Sequence, residues 1–447
     1  MLRWNKGTLT ELITMGEQTQ GLGSRLLINR DFGLLFLGRL VSQIGDGIHY
    51  FALAWLVLDL TGSGTALGTM LFASSVPAVI LAPFSGVLAD LWNRKAIVVS
   101  MDVLRGLILL TLALIFKSGY LTISVLYAAT VLSSLCGVLF GPAISAAIPG
   151  LVEKEELVKA NSLNNLSRGA TMIAGPVLGA FLVGAAGYFG VFLINGTAFL
   201  LSALSELFIR FPKMAREDAG VGEQGAVHQF LSSLKNGFTY IWESTGLKTL
   251  IFFAVAINFL AAPVFGVILP YLGKEIFLLE AQHFGTVQAG LPVGFLLGTA
   301  VIGALTKRYK KGALLALGIG AQGLISVFIG VLALPAVFGI MSLPAVLTSM
   351  SFSMVAAGVF NTLVNVPFQV MLQETVPDSY RGRVFGLLDS MVQMLVPIST
   401  ALSGVLVDTF TPSGLLVSIG LVIALLGLGL AMSPSIKELY GEGQAAI

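Results

Sequence analysis

Arg39, Gln43, Asp46 and Tyr50 stand at i, i+4, i+7 and i+11 inside the first long apolar run of this chain. On a helix these positions share one face. A guanidinium, an amide, a carboxyl and a phenol on one face can hold a small polar group and can take and release a proton. Asp46 is the leading proton carrier, because a carboxyl partly withdrawn from water can exchange between its charged and neutral forms. Tyr50 could hydrogen-bond that carboxyl or offer its ring to an apolar ligand. Arg39 lies about 10 Å along the helix from Asp46 at a rise of 1.5 Å per residue, so the two make no tight pair within the helix. His49, three residues after Asp46, can meet it and relay protons, or can serve as a helix–helix contact.

Other polar residues interrupt later apolar runs. Asp389 and Gln393 stand at i, i+4, and Asp389 is the second carboxyl suited to proton coupling. Asn258, Asn361 and Asn365 supply uncharged hydrogen-bonding groups. Asn361 and Asn365 share a face, as substrate-orienting groups would, although each alone serves equally well as glue between helices. Asp102 and Arg105 at i, i+3 read as a structural ion pair. Glu206 has no partner on its own helix and receives no role. Met371, Met391 and Met394, with 29 Phe in the chain, fit an adaptable apolar cavity. With three His and one cysteine, Cys136, no disulfide framework, metal centre or cofactor is expected. No Walker motif, H-E-x-x-H or G-x-S-x-G is present, so neither direct use of ATP nor an enzyme is expected.

The elements that carry these residues follow from composition. Of 447 residues, 56% are hydrophobic and 11% charged, against roughly a quarter charged in soluble proteins. Twelve apolar segments can be drawn, near 33–58, 65–89, 96–116, 121–148, 164–185, 188–210, 247–272, 283–306, 312–334, 344–371, 384–408 and 412–433. Each is long enough to cross a hydrocarbon core of about 30 Å as a helix. An all-α polytopic membrane protein is therefore expected. Placing both termini inside leaves only Lys117 and Lys274 of the 25 Lys and Arg on the outer side, with Arg39 and Arg105 inside spans. With charges so scattered and a net charge of +2, no nucleic-acid partner is expected. The partners are the bilayer and a small molecule, and the chain is expected to act as a monomer in the cell (plasma or inner) membrane.

The expected organisation is a cytoplasmic segment at 1–32, six helices in 33–210, a cytoplasmic linker at 211–246, six helices in 247–433 and a tail at 434–447. Within the linker, Phe230, Leu231, Leu234, Phe238, Ile241 and Trp242 recur at helical spacing, an amphipathic helix for the inner leaflet. The two halves resemble each other. GVLADLWNRK at 86 recurs weakly as GALTKRYKKG at 303, Pro142 corresponds to Pro367, and Gly175-Pro176 to Val396-Pro397. Parallel six-helix repeats about an axis along the membrane normal describe one large class of secondary transporter.

On these residues the chain resembles the major facilitator superfamily. Gly86, Leu88, Ala89, Asp90, Arg94 and Lys95 match its signature between the second and third helices. Leu91 replaces a basic residue there, and Asn93 stands for a Gly, tolerable because Asn visits left-handed turns. RGATMIAGPVLGA resembles the antiporter signature of the fifth helix through Gly169, Gly175, Pro176 and Gly179. LVEKEELVKANSL, GFTYIW and ETVPDSYRGRVFG look most like the macrolide-efflux and siderophore-export branch. The resemblance implies a twelve-helix major facilitator fold. Gly86, Asp90, Arg94 and Lys95 would latch the inner gate onto the start of the eleventh helix, and Gly175-Pro176 would kink the fifth. It also implies export of an amphiphilic or hydrophobic small molecule (drug, macrolide-like or siderophore-like) by proton antiport. A lysolipid flippase, an importer on the same fold and a non-transporting sensor are the alternatives.

Overall fold

A computed structural model describes residues 28–211 and 235–439, with the backbone alone at 82–91 and at 173. Ten stretches among the described residues are long and apolar enough to span a membrane. The first helix, diluted by Arg39, Asp46 and its other polar residues, and the division of 157–207 at a non-helical glycine bring the number to twelve. They are α1 (Arg30–Thr61), α2 (Gly64–Leu91), α3 (Arg94–Lys117), α4 (Ile123–Leu151), α5 (157–186) and α6 (188–207). The second set is α7 (Thr245–Ile276), α8 (Ala281–Arg308), α9 (Lys311–Leu332), α10 (Leu343–Thr375), α11 (Asp378–Thr409) and α12 (Pro412–Met432).

Local chemistry sets several boundaries. Asn29 caps α1, its side chain accepting from Phe32 N at 2.8 Å. Gly62 then ends that helix in the left-handed region, φ 59°, where a Cβ is costly. Asn93 is extended at φ −66°, ψ 111°, and its side-chain oxygen caps α3 through Ala96 N at 3.3 Å. The residue that stands for a signature glycine is thus a helix cap and makes no left-handed turn. Pro176 lies inside helix α5, and α5 gives way to α6 at Gly187, φ 64°, ψ 178°. Helix α7 contains two π-helical turns, Val264–Ile268 and Leu272–Ile276, around Pro263 and Pro270.

Helices α1 to α6 pack on one another, as do α7 to α12, and the two sets meet mainly through α2 against α11 and α5 against α8. This is the expected pair of parallel six-helix repeats. Residues 1–27, 212–234 and 440–447 lie outside the described residues, and with them Phe230, Leu231 and Leu234 of the amphipathic segment. Its remainder is helical from 235 to 243. Tyr240 stacks on Tyr380 at the start of α11, ring centroids 4.5 Å apart, while Phe238 and Trp242 stack on each other at 4.9 Å and stay exposed. That segment therefore docks on the protein with one face and presents aromatic rings with the other.

Candidate functional site

A cavity of about 490 Å³ lies between the two sets of helices. Tyr50, Phe51 and Trp55 of α1 form one wall, with Phe51, Trp55 and Phe284 of α8 stacked at centroid separations of 5.1 to 6.4 Å. Helix α7 adds Phe265, Gly266 and Pro270 from its π-helical stretch, where the backbone departs from regular helix. The sulfur-bearing residues here are Met172, Met350 and Met354. The sequence pointed instead to Met371, Met391 and Met394. Met371 is wholly buried in the core cluster of the second half, and none of the three lines the cavity. Periodicity alone does not say which of two apolar faces meets a cavity. The lining carries no charged residue, and its polar side chains are Tyr50, Gln288 and Thr400.

Close helix packing places α1 at this cavity. A Cβ on Gly175 would lie 2.6 Å from Gly47 Cα, and one on Gly179 would lie 3.0 Å from Phe51 Cβ. The fifth-helix glycines therefore form a flat face on which α1 rests. Gly169 has nothing within 4 Å of its Cβ position.

The stripe on α1 divides by depth. Asp46 is 51% exposed and pairs with Arg105 of α3 at 3.3 Å. The guanidinium of Arg105 sits between the rings of Phe140 and Phe199, 5.6 and 5.5 Å from their centroids. The expected Asp102–Arg105 pair is therefore not formed. Arg105 turns across to α1, and Asp102 accepts instead from Ser42 Oγ at 2.8 Å. Gln43 accepts from Ser167 Oγ at 3.1 Å, and Arg39 is buried with Nε and Nη1 lacking a hydrogen-bond partner among the described residues. His49 stacks edge-on against Phe192, and its two ring nitrogens are buried without partners among the described residues. No contact joins His49 to Asp46, so its place is a helix–helix contact. Sequence reasoning missed Glu206, which is 0% exposed on α6 with Ser202 one turn before it. A serine at i−4 is too common in apolar helices to give a spacing signal.

The second half gathers its polar candidates. Asn258 of α7, Asn365 of α10, and Asp389 and Gln393 of α11 share a pocket of about 260 Å³ with Gln369. Asn361 stands outside it and accepts from Asn365 Nδ2 at 2.5 Å. Of the loop signature, Gly86 and Asp90 are described by their backbone alone. Arg94 Nη1 donates to Ala146 O at 2.8 Å, and Lys95 Nζ to Leu207 O and Ile209 O at 2.6 and 2.9 Å. These cations sit on carbonyls near the ends of α4 and α6, where the helix dipole favours them.

At the end of the bundle opposite the start of α1 and the end of α12, the two halves are tied together. Asp408 of α11 accepts from Gly64 N at 2.7 Å, Thr65 N at 2.8 Å and Ser63 Oγ at 2.6 Å. It thereby caps α2 from the other half. Lys274 pairs with Asp59, which also accepts from Tyr188. A Cβ on Gly404 would lie 2.4 Å from Gly64 O.

Comparison with known proteins bears on this architecture. The chain is 27% identical over 413 residues to the MFS-type transporter YfiS of Bacillus subtilis (strain 168), covering 90% of this chain and 93% of that one. It is 22% identical over 382 residues to macrolide efflux protein A of Streptococcus pyogenes, 84% of this chain and 89% of the relative. A bacterial homologue of the iron transporter ferroportin, solved in an inward-facing state, superposes with a TM-score of 0.67 at 18% identity, over 90% of this chain and 98% of that one. The model of the Major Facilitator Superfamily matches residues 35–398. The chain belongs to the major facilitator superfamily of membrane transporters.

Proposed function

We propose that this transporter exports an amphiphilic or hydrophobic small molecule by proton antiport. The observation that carries the reading is the cavity of about 490 Å³ walled by aromatic rings and methionines, without a charged lining residue. Such walls bind by apolar area and adapt to shape, since thioether chains repack readily. Tyr50, Gln288 and Thr400 supply the few polar contacts. Four residues before Tyr50, Asp46 pairs with Arg105, and protonating Asp46 discharges that pair. Similarity to macrolide efflux protein A supports macrolides as first compounds to try. In this reading the termini face the cytoplasm and the protein works as a monomer. Residues 1–210 rock against 247–447, and Gly86, Asp90, Arg94 and Lys95 latch the inner gate. Asp389, Asn258, Asn365 and Gln393 form a second polar pocket that changes shape with the second half.

The test uses everted membrane vesicles loaded with acid and given radiolabelled erythromycin. Accumulation that follows the pH gradient and collapses with a protonophore is expected. Accumulation that survives the protonophore sinks proton antiport. A parallel assay with a fluorescent lysophospholipid separates export of drugs from lipid flipping.

A further inference from the structure

Three helices of the first half meet in a chain of oxygen atoms that Asp46 does not share. Ser42 Oγ lies 2.8 Å from Asp102 Oδ2 and 3.0 Å from Ser202 Oγ. Ser202 Oγ in turn lies 3.5 Å from Glu206 Oε1. Ser42 comes from α1, Asp102 from α3, and Ser202 and Glu206 from α6. Asp102 and Glu206 are each 0% exposed. Their outer oxygens, Asp102 Oδ1 and Glu206 Oε2, are buried without a hydrogen-bond partner among the described residues. No basic side chain among those residues forms an ion pair with either. Arg105, one turn beyond Asp102, is engaged with Asp46. The other buried cation among the described residues is Arg39 of α1, one turn before Ser42.

The hydrogens in this chain can be counted. Each serine hydroxyl supplies one hydrogen, enough for the two short contacts. A third hydrogen, from one protonated carboxyl, completes the chain across the long 3.5 Å contact and leaves the other carboxyl ionised. Burial argues in the same direction. Two ionised carboxyls away from water, with no paired cation, lose hydration and repel each other. When Glu206 carries the proton it donates to Ser202, Ser202 donates to Ser42, and Ser42 donates to ionised Asp102. When the proton passes along, Asp102 donates to Ser42, Ser42 to Ser202, and Ser202 to ionised Glu206. Each hydroxyl gives up one hydrogen and receives one, so atoms and charge balance.

We propose that Asp102 and Glu206 share a single proton through Ser42 and Ser202, forming a proton-storage site inside the first six helices. The position of that proton reaches Asp46 through Arg105. With the negative charge on Asp102, Arg105 has a second anion one turn away on its own helix, which competes with Asp46 for the guanidinium. With the charge on Glu206, that competitor is neutral. The site's part in transport rests on the proton-antiport reading. The shared proton itself does not.

Infrared difference spectra of the purified protein, wild type minus variant, read the carbonyl stretch of a protonated carboxyl. Glu206→Gln and Asp102→Asn each install an amide that supplies the third hydrogen, so the remaining carboxyl ionises. Each single substitution is expected to remove one whole protonated-carboxyl band, and the double substitution is expected to remove no more than one. Loss in only one of the single variants, loss in neither, or loss of two bands in the double variant overturns the shared proton. So does removal of the wild-type band by sodium at constant pH, which would assign the oxygens to a metal cation. Ser42→Ala retains both carboxyls and should shift the band without removing it. If an amide variant does not fold, an unshifted band in Ser42→Ala overturns the proposal. Wild-type vesicles indifferent to a pH gradient, with the band present, would remove antiport and leave the site standing.

Discussion

Asp46 and Arg105 make a pair that neither residue's own helix could reveal. The carboxyl is 51% exposed while the guanidinium is 9% exposed and held between two rings. Each cation–π contact contributes on the order of 0.5–1 kcal/mol or more where water is excluded. Arg105 therefore stays in place when Asp46 changes charge. Asp46→Asn is expected to retain expression and compound binding but to lose gradient-driven erythromycin accumulation to background in everted vesicles. Full accumulation would remove Asp46 from proton coupling. The stripe Arg39, Gln43, Asp46 and Tyr50 was legible because helical spacing reports which residues share a face. Partner choice was not, because Asp102 and Arg105 at i, i+3 satisfy the spacing rule as well as any true pair. Ser42 and Ser202 gave no signal at all, since serines in apolar helices are common and their contacts lie on other helices.

Among the elements, α1 and α5 are placed by an absence of side chains. Gly175 has backbone 2.6 Å from where its Cβ would stand, whereas Gly169, six residues earlier in the same signature, faces open space. Gly175→Ala should therefore overpack the α1–α5 contact and destabilise by about 1–3 kcal/mol. Gly169→Ala should stay within about 0.5 kcal/mol of wild type. Thermal unfolding of the detergent-purified protein compares them, and equal shifts would contradict the packing described. The twelve spans were readable from apolar length, and the half-chain repeat from its landmarks. The expected boundary between the fifth and sixth spans, at 185–188, falls on Gly187, and Pro176 stands inside α5, where neighbouring helices can hold a proline.

Taken whole, the molecule is fastened at the end away from the start of α1 and the end of α12, where Asp408, Lys274 and Gly404 cross between the halves. Thr400, 5% exposed, lines the cavity behind this seam. In a Cys136→Ala background, Thr400→Cys should react slowly with a membrane-impermeant maleimide added outside intact cells. Adding Asp408→Ala should speed that reaction severalfold. An unchanged rate would mean that the seam is held by packing alone.

The cap that Asp408 places on α2 has a consequence for the timing of the cycle. An N-cap contributes about 1 kcal/mol, and here one half of the molecule supplies it to the other. When the halves part at this end, Gly64 N and Thr65 N lose their acceptor, while Ala66 N keeps Ser63 Oγ from its own half. The backbone amides of Gly64 and Thr65, held at 2.7 and 2.8 Å from the Asp408 oxygens, are then free to swap their hydrogens with solvent. Their deuterium uptake would follow how often this seam opens. A tight-binding compound that holds the seam shut should slow it, while the rest of α2 keeps its rate.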